Sequence, residues 1–159
     1  MFERTRTLAG LAFCLATLGA CADAHWDSVR WPSERPGLPE QPRASVAEIG
    51  LGLRLVGVDY EPEGIVVFLE LENFGNEALQ IETEAVLLRW VELEYPVDGP
   101  GDILLVEPGL TVTASWGYRL GRPLTGAGAT MVFRSLTHAA TPVLEPPTIG
   151  LPPRPVVVD

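Results

Sequence analysis

Lysine is absent from this 159-residue chain; every basic residue is arginine, a coding bias from which no function follows. Positive charge is scarce altogether. Against 11 basic residues stand 21 acidic ones, a formal net charge of −10. Nothing would supply the cations that displace counterions from a phosphate backbone, which argues against nucleic acid as a partner. Two cysteines and two histidines are too little for a Cys/His zinc site. No apolar run approaches the roughly 20 residues of a transmembrane helix. Punctuation is what the chain has in quantity. Its 15 prolines and 16 glycines, many set between short apolar runs, point to β-structure with turns rather than to helices. The length allows one domain plus appendages.

The first 21 residues fall into three zones. Met1–Arg6 carries Arg4, Arg6 and the α-amine against Glu3 and is net positive. Leu8–Leu18 is apolar apart from Thr17, with Gly10 its only helix-weakening residue. Leu18-Gly19-Ala20-Cys21 follows. A basic start, an apolar run of about 10 residues and small residues before a cut site are the marks of a secretory signal peptide.

The tetrad Leu18-Gly19-Ala20-Cys21 resembles the lipobox of bacterial lipoproteins. The resemblance is confined to this segment. It implies cleavage of residues 1–20 between Ala20 and Cys21, a diacylglycerol on the Cys21 thiol and acylation of the new amine. Glu3 departs from the pattern, because the basic region of such signals seldom carries acid. Two or more acyl chains anchor a protein stably where one holds it only marginally. Cys14 would leave with the signal, so the single remaining cysteine would be a thioether and no structural disulfide could form. In Gram-negative lipoproteins an Asp directly after the Cys favours retention in the inner membrane; here that residue is Ala22. By resemblance the expected location is the cell envelope, and in a Gram-negative organism the outer membrane facing the periplasm, with the membrane as a partner through Cys21.

Residues 21–45 hold Pro32, Pro36, Pro39 and Pro42 with no apolar period, and read as a Pro-rich tether. At about 3 Å per residue such a segment would lift a domain up to roughly 70 Å from the lipid. Trp26 and Trp31 within it either rest at the membrane interface, fold back onto the domain or stay mobile. Residues 46–136 alternate apolar and polar side chains between turn signals. The expected strands are Ile49–Leu55, Ile65–Glu72, Leu79–Thr83, Val86–Tyr95, Ile103–Val106, Leu110–Tyr118 and Thr130–Leu136. In Val86–Tyr95, Leu88 and Trp90 share a face with Glu92 and Glu94, so a bulge is expected to switch the sides. Seven short strands in about 90 residues predict an all-β fold: a single antiparallel, immunoglobulin-like β-sandwich. The stretches Leu71–Leu79 and Val106–Val112, with their Asn-Phe-Gly and Pro-Gly turns, resemble small immunoglobulin-like modules of bacterial envelope proteins. That resemblance speaks to topology and carries no catalytic residue. Residues 137–159, with six prolines by Pro155, read as a Pro-rich tail in polyproline or coil conformation.

Catalytic constellations are weak. Ser135 and His138 lie three apart with no Gly-x-Ser-x-Gly elbow, and read as surface residues. Gly50-Leu51-Gly52 with Gly57 misses the dinucleotide pattern because Leu55 holds the third glycine position. Three carboxylate pairs, Glu70 with Glu72, Glu82 with Glu84 and Glu92 with Glu94, have the spacing that puts each pair on one strand face. Solvated faces are the plain reading; a Ca²⁺ site or a glycosidase pair is the sharper one. The loop Asp98-Gly99-Pro100-Gly101-Asp102 lacks the EF-hand ligand order. Val66 and Phe68, on the outer face of their strand, are expected to be covered by the tether or the tail, or else to mark a contact site. No metal, cofactor or catalytic residue is assigned. The expectation is a non-enzymatic envelope module that binds a protein or a wall polymer. The alternative is a cell-wall hydrolase, or an enzyme accessory subunit, that uses the paired carboxylates.

Overall fold

A computed structural model describes residues 28–31, 40–125 and 128–155. Ala20, Cys21 and Trp26 lie outside them, as does the whole signal segment. The strands in chain order are β1 (Ser28–Arg30), β2 (Arg43–Val46), β3 (Leu51–Tyr60), β4 (Gly64–Asn73), β5 (Leu79–Glu82), β6 (Val86–Trp90) and β7 (Leu93–Tyr95). They continue with β8 (Ile103–Val106), β9 (Thr111–Arg119), β10 (Thr130–Phe133), β11 (Leu136–His138), β12 (Thr141–Pro142) and β13 (Thr148–Gly150).

Alternation decides the first layer. Leu51, Leu53 and Leu55 on β3 and Ile65, Val67, Leu69 and Leu71 on β4 are all buried, while Arg54 and Glu72 between them are exposed. The β3–β4 register slips at Val56, and this bulge keeps Val58 and Tyr60 facing inward. β9 pairs with the other side of β4, and both β1 and β2 pair with the outer edge of β3.

The second layer is two four-stranded sheets laid end to end, β13-β10-β6-β7 and β12-β11-β5-β8. They join where a 3₁₀ turn, Thr83–Ala85, separates β5 from β6 and Arg134-Ser135 separates β10 from β11. Two backbone bonds bridge that line: Arg134 N–H donates to Ala85 O at 2.9 Å and Glu82 N–H to Ser135 O at 3.2 Å. Facing residues of the two layers form one core. Trp116 of β9 meets Phe133 of β10 edge-on at 5.8 Å, and the Tyr118 hydroxyl donates to Val86 O at 3.2 Å. The chain makes the β3–β4 hairpin, crosses for β5–β8, returns for β9 and crosses again for β10–β13. This is an all-β, antiparallel sandwich.

Seven expected strands become thirteen among the described residues, for two physical reasons. Two of them are interrupted. Val86–Tyr95 folds back on itself at Val91-Glu92, whose φ angles of 48° and 63° form a tight hairpin of the left-handed-turn type, with Trp90 opposite Leu93. The change of side expected as a bulge is this turn. Thr130–Leu136 breaks at the bend line. The other four strands come from the flanks. β1 and β2 belong to the stretch read as a tether, and β12 and β13 to the stretch read as coil. Burial explains the pairing: Trp31, Ile149 and Leu151 are all under 10% exposed. Trp31 thus folds back onto the domain, its N–H donating to Val56 O at 2.8 Å. Only six residues separate Cys21 from Ser28, so a spacer between them could span at most about 25 Å, not the expected 70 Å or so.

Candidate functional site

Both ends of the described domain lie at one pole. Ser28 opposes Asp59 beside the Glu61–Glu63 turn, and the Tyr60 hydroxyl donates to Pro152 O at 2.6 Å. The opposite pole holds the end of β4, the Glu107–Leu110 turn and the Ala139-Ala140 turn. Asn73, whose burial is complete, organises that pole. Its Nδ2 donates to Glu77 O and to Val106 O, both at 2.8 Å, and its Oδ1 accepts from Gly75 N–H at 3.0 Å.

The carboxylate pairs do not converge. Glu70 on the outer face of the first layer is ion-paired with Arg54, its cross-strand neighbour. Glu72, two residues on, lies opposite Gly52. Glu82 ends β5 on the outer face of the second layer, and Glu84 belongs to the 3₁₀ turn. Glu92 is a turn residue, while Glu94 is clasped by Arg89 at 2.9 Å and Arg134 at 2.7 Å. The Arg89 hydrogen bond and the charges of both guanidiniums hold its carboxyl below the usual range, against a smaller opposing effect of desolvation. Among the described residues no group of three or more His, Cys, Asp or Glu side chains could hold a metal ion.

The remaining candidates take places in strands, turns and ion pairs. Ser135 O accepts from Glu82 N–H, and His138 is a β11 residue opposite Leu79 and Thr141. Gly50 follows a 3₁₀ turn with φ 69° and leads into β3 rather than a helix. Asp98 pairs with Arg119 at 3.0 Å, and its N–H donates to Gly117 O. Asp102 exchanges bonds with Thr83 and accepts from Ile103 N–H at 2.8 Å. Val66 and Phe68 are half-buried; Arg30 of β1 lies over the Phe68 ring at 4.4 Å, so the cover comes from the tether side.

Two surfaces stand out that the sequence did not announce. One is an open groove of about 600 Å³ on the outer face of the first layer. Arg43, Arg54, Glu72, Phe74 and Thr111 line it around Gly52, and the Arg54–Glu70 ion pair crosses it. The other is the side of the sandwich bounded by β7, β8 and β9, where Leu93, Ile103, Leu105 and Leu110 are all about half exposed. The place of the Ile-Leu-Leu-Val run of β8 at a sheet edge has no sequence signal. No helix among the described residues is long and apolar enough to cross a membrane. No family model matches the chain, nor does any curated protein or solved structure.

Proposed function

We propose that this chain is a lipid-anchored envelope protein, held at the outer membrane through Cys21, whose sandwich is a non-catalytic binding or assembly module. One observation carries the reading. Ser28 and Pro152 sit at the same pole, so an anchor a few residues before Ser28 would leave the opposite pole, towards which β8 runs, facing away from the bilayer. Charge supports the same orientation. From Ala22 to Asp159 there are 20 acidic and nine basic residues, a net charge of −11. Such a surface is repelled by anionic headgroups and favours a basic or neutral partner, either an envelope protein or a wall polymer. The hydrolase alternative needs two carboxylates facing each other across a cleft about 5–10 Å wide. Glu70 and Glu94 are instead engaged by arginines, on different layers.

Cys21→Ser should move the protein from the membrane fraction to the soluble fraction and abolish labelling by a clickable palmitate analogue. The same soluble protein should leave purified wall polymer intact. Membrane retention with undiminished labelling would overturn the anchor, and measurable turnover of wall polysaccharide or peptide would overturn the non-catalytic role.

A further inference from the structure

We infer that the free edge of β8 is a strand-addition site for an extended, basic segment of a partner protein, an inference that rests on the binding-module reading above. Hydrogen-bond parity fixes which groups face outward. Thr83 N–H donates to Asp102 O at 2.9 Å, and antiparallel pairs alternate. Ile81 with Leu104, and Leu79 with Val106, are therefore the bonded pairs, and the amides and carbonyls of Ile103 and Leu105 point away from β5. The Ile103 N–H is met by the Asp102 carboxylate. The Leu105 N–H and both carbonyls have no hydrogen-bond partner among the described residues. Their side chains are open too, Ile103 60% exposed and Leu105 45%. Edge strands are usually protected by an inserted charge, a proline or a bulge. Ile103–Val106 contains none of these, and among the described residues its shortness and the Asp102 carboxylate on the Ile103 N–H are what shield it.

The surroundings choose the occupant. Neither Asn76–Leu88 nor Pro96–Tyr118 contains an arginine, yet together they carry Glu77, Glu82, Glu84, Asp98, Asp102 and Glu107. Of these, Asp98 is ion-paired, with Arg119. A second copy adding antiparallel to β8 in centred register would set the outward-facing Ile103 opposite Leu105, which brings two of these arginine-free acidic frames together, an accumulation of like charge. A segment with apolar residues to cover Ile103 and Leu105, and lysine or arginine at its ends, would instead find an acidic frame. The chain's own β1 and β2 occupy the far edge of the other layer, on β3.

The test uses the detergent-solubilised native protein and two nine-residue peptides. One alternates valine and threonine between paired lysines; the other replaces the lysines with glutamates. The lysine peptide should bind about tenfold tighter or more at low salt, and its affinity should fall as salt rises. Leu105→Pro removes the outward N–H without removing a bond to β5, and should weaken lysine-peptide binding about tenfold. Asp102→Asn with Glu107→Gln, which leaves the backbone of β8 intact, should shrink the preference for lysine over glutamate. Equal affinity for the two peptides, or lysine-peptide binding untouched by both variants, would overturn the site. So would dimerisation of the protein that Leu105→Pro abolishes. Any of these would leave the Cys21 anchor and the non-catalytic role to stand or fall on their own experiment.

Discussion

Asn73 Nδ2 donates to Val106 O at 2.8 Å, tying the last residue of β4 to the last residue of β8 across the two layers. It is the one fully buried polar side chain among the described residues, and its amide is satisfied on both sides. Asn73→Ala would strand the carbonyls of Glu77 and Val106 and the N–H of Gly75. The expected loss is about 2–4 kcal/mol by urea denaturation. Asn73→Asp, of equal size, would set a carboxyl against two carbonyls, which raises its pKa above the unfolded value. That variant should therefore be closer to wild type at pH 4 than at pH 7, and an equal deficit at both would show that the amide's donors are not what matters.

The turn at Val91-Glu92 holds two non-glycine residues at positive φ, one of them β-branched. Each left-handed residue costs roughly 1–2 kcal/mol relative to a relaxed backbone. Replacing the pair with Asn-Gly, the preferred sequence for this turn, should raise the melting temperature and stabilise the fold by about 1–2 kcal/mol. A lower melting temperature would mean that the Val91 side chain contributes more than its backbone costs.

Burial pushes the hydroxyls of Tyr118 and Tyr60 well above the usual tyrosine range, with Arg154 opposing part of the effect at Tyr60. Above about pH 10 the unfolded chain gives up these protons while the folded one keeps them. Stability should hold below that pH and then fall, by about 1.4 kcal/mol per pH unit for each tyrosine. Tyr118→Phe should roughly halve the slope of stability against pH between 10.5 and 11.5. A slope unchanged by the substitution would place the alkaline transition elsewhere.

Trp31 and Ile149 lie in the flanking stretches, yet both are buried in the common core. Trp31→Ala and Ile149→Ala should each cost about 2–4 kcal/mol. A tether or a loose tail would show no change in the denaturation midpoint.

How far the fold could be read depended on whether a strand's identity is local. β4, β5 and β9 announce themselves by two-residue alternation between turn residues, and the structure has them close to the expected ranges. β3 begins two residues later than Ile49, which ends a 3₁₀ turn, and is carried past Leu55 to Tyr60 by the bulge at Val56. β1, β2 and β12 are two to four residues long and owe their extended form to the partner edges of β3 and β11, which proline-rich local sequence cannot reveal. β13 did leave a trace, since Ile149 and Leu151 alternate with glycine and proline and both prove buried. The Val91-Glu92 hairpin was illegible for a different reason: neither residue is a usual left-handed turn former. The carboxylate pairs were visible, but whether they meet depends on which layer each strand joins. The edge position of Ile103 and Leu105 likewise exists only after the sheet order is known.

The intact mass of the protein extracted from membranes decides whether Cys21 carries the lipid. A lipid-anchored protein should give a chain that starts at Cys21 and carries the added mass of a diacylglycerol and an amide-linked acyl chain, with the modification mapped to Cys21 after digestion. An unmodified chain starting at another residue, or one recovered from the soluble fraction with a free Cys21 thiol, would contradict the anchor.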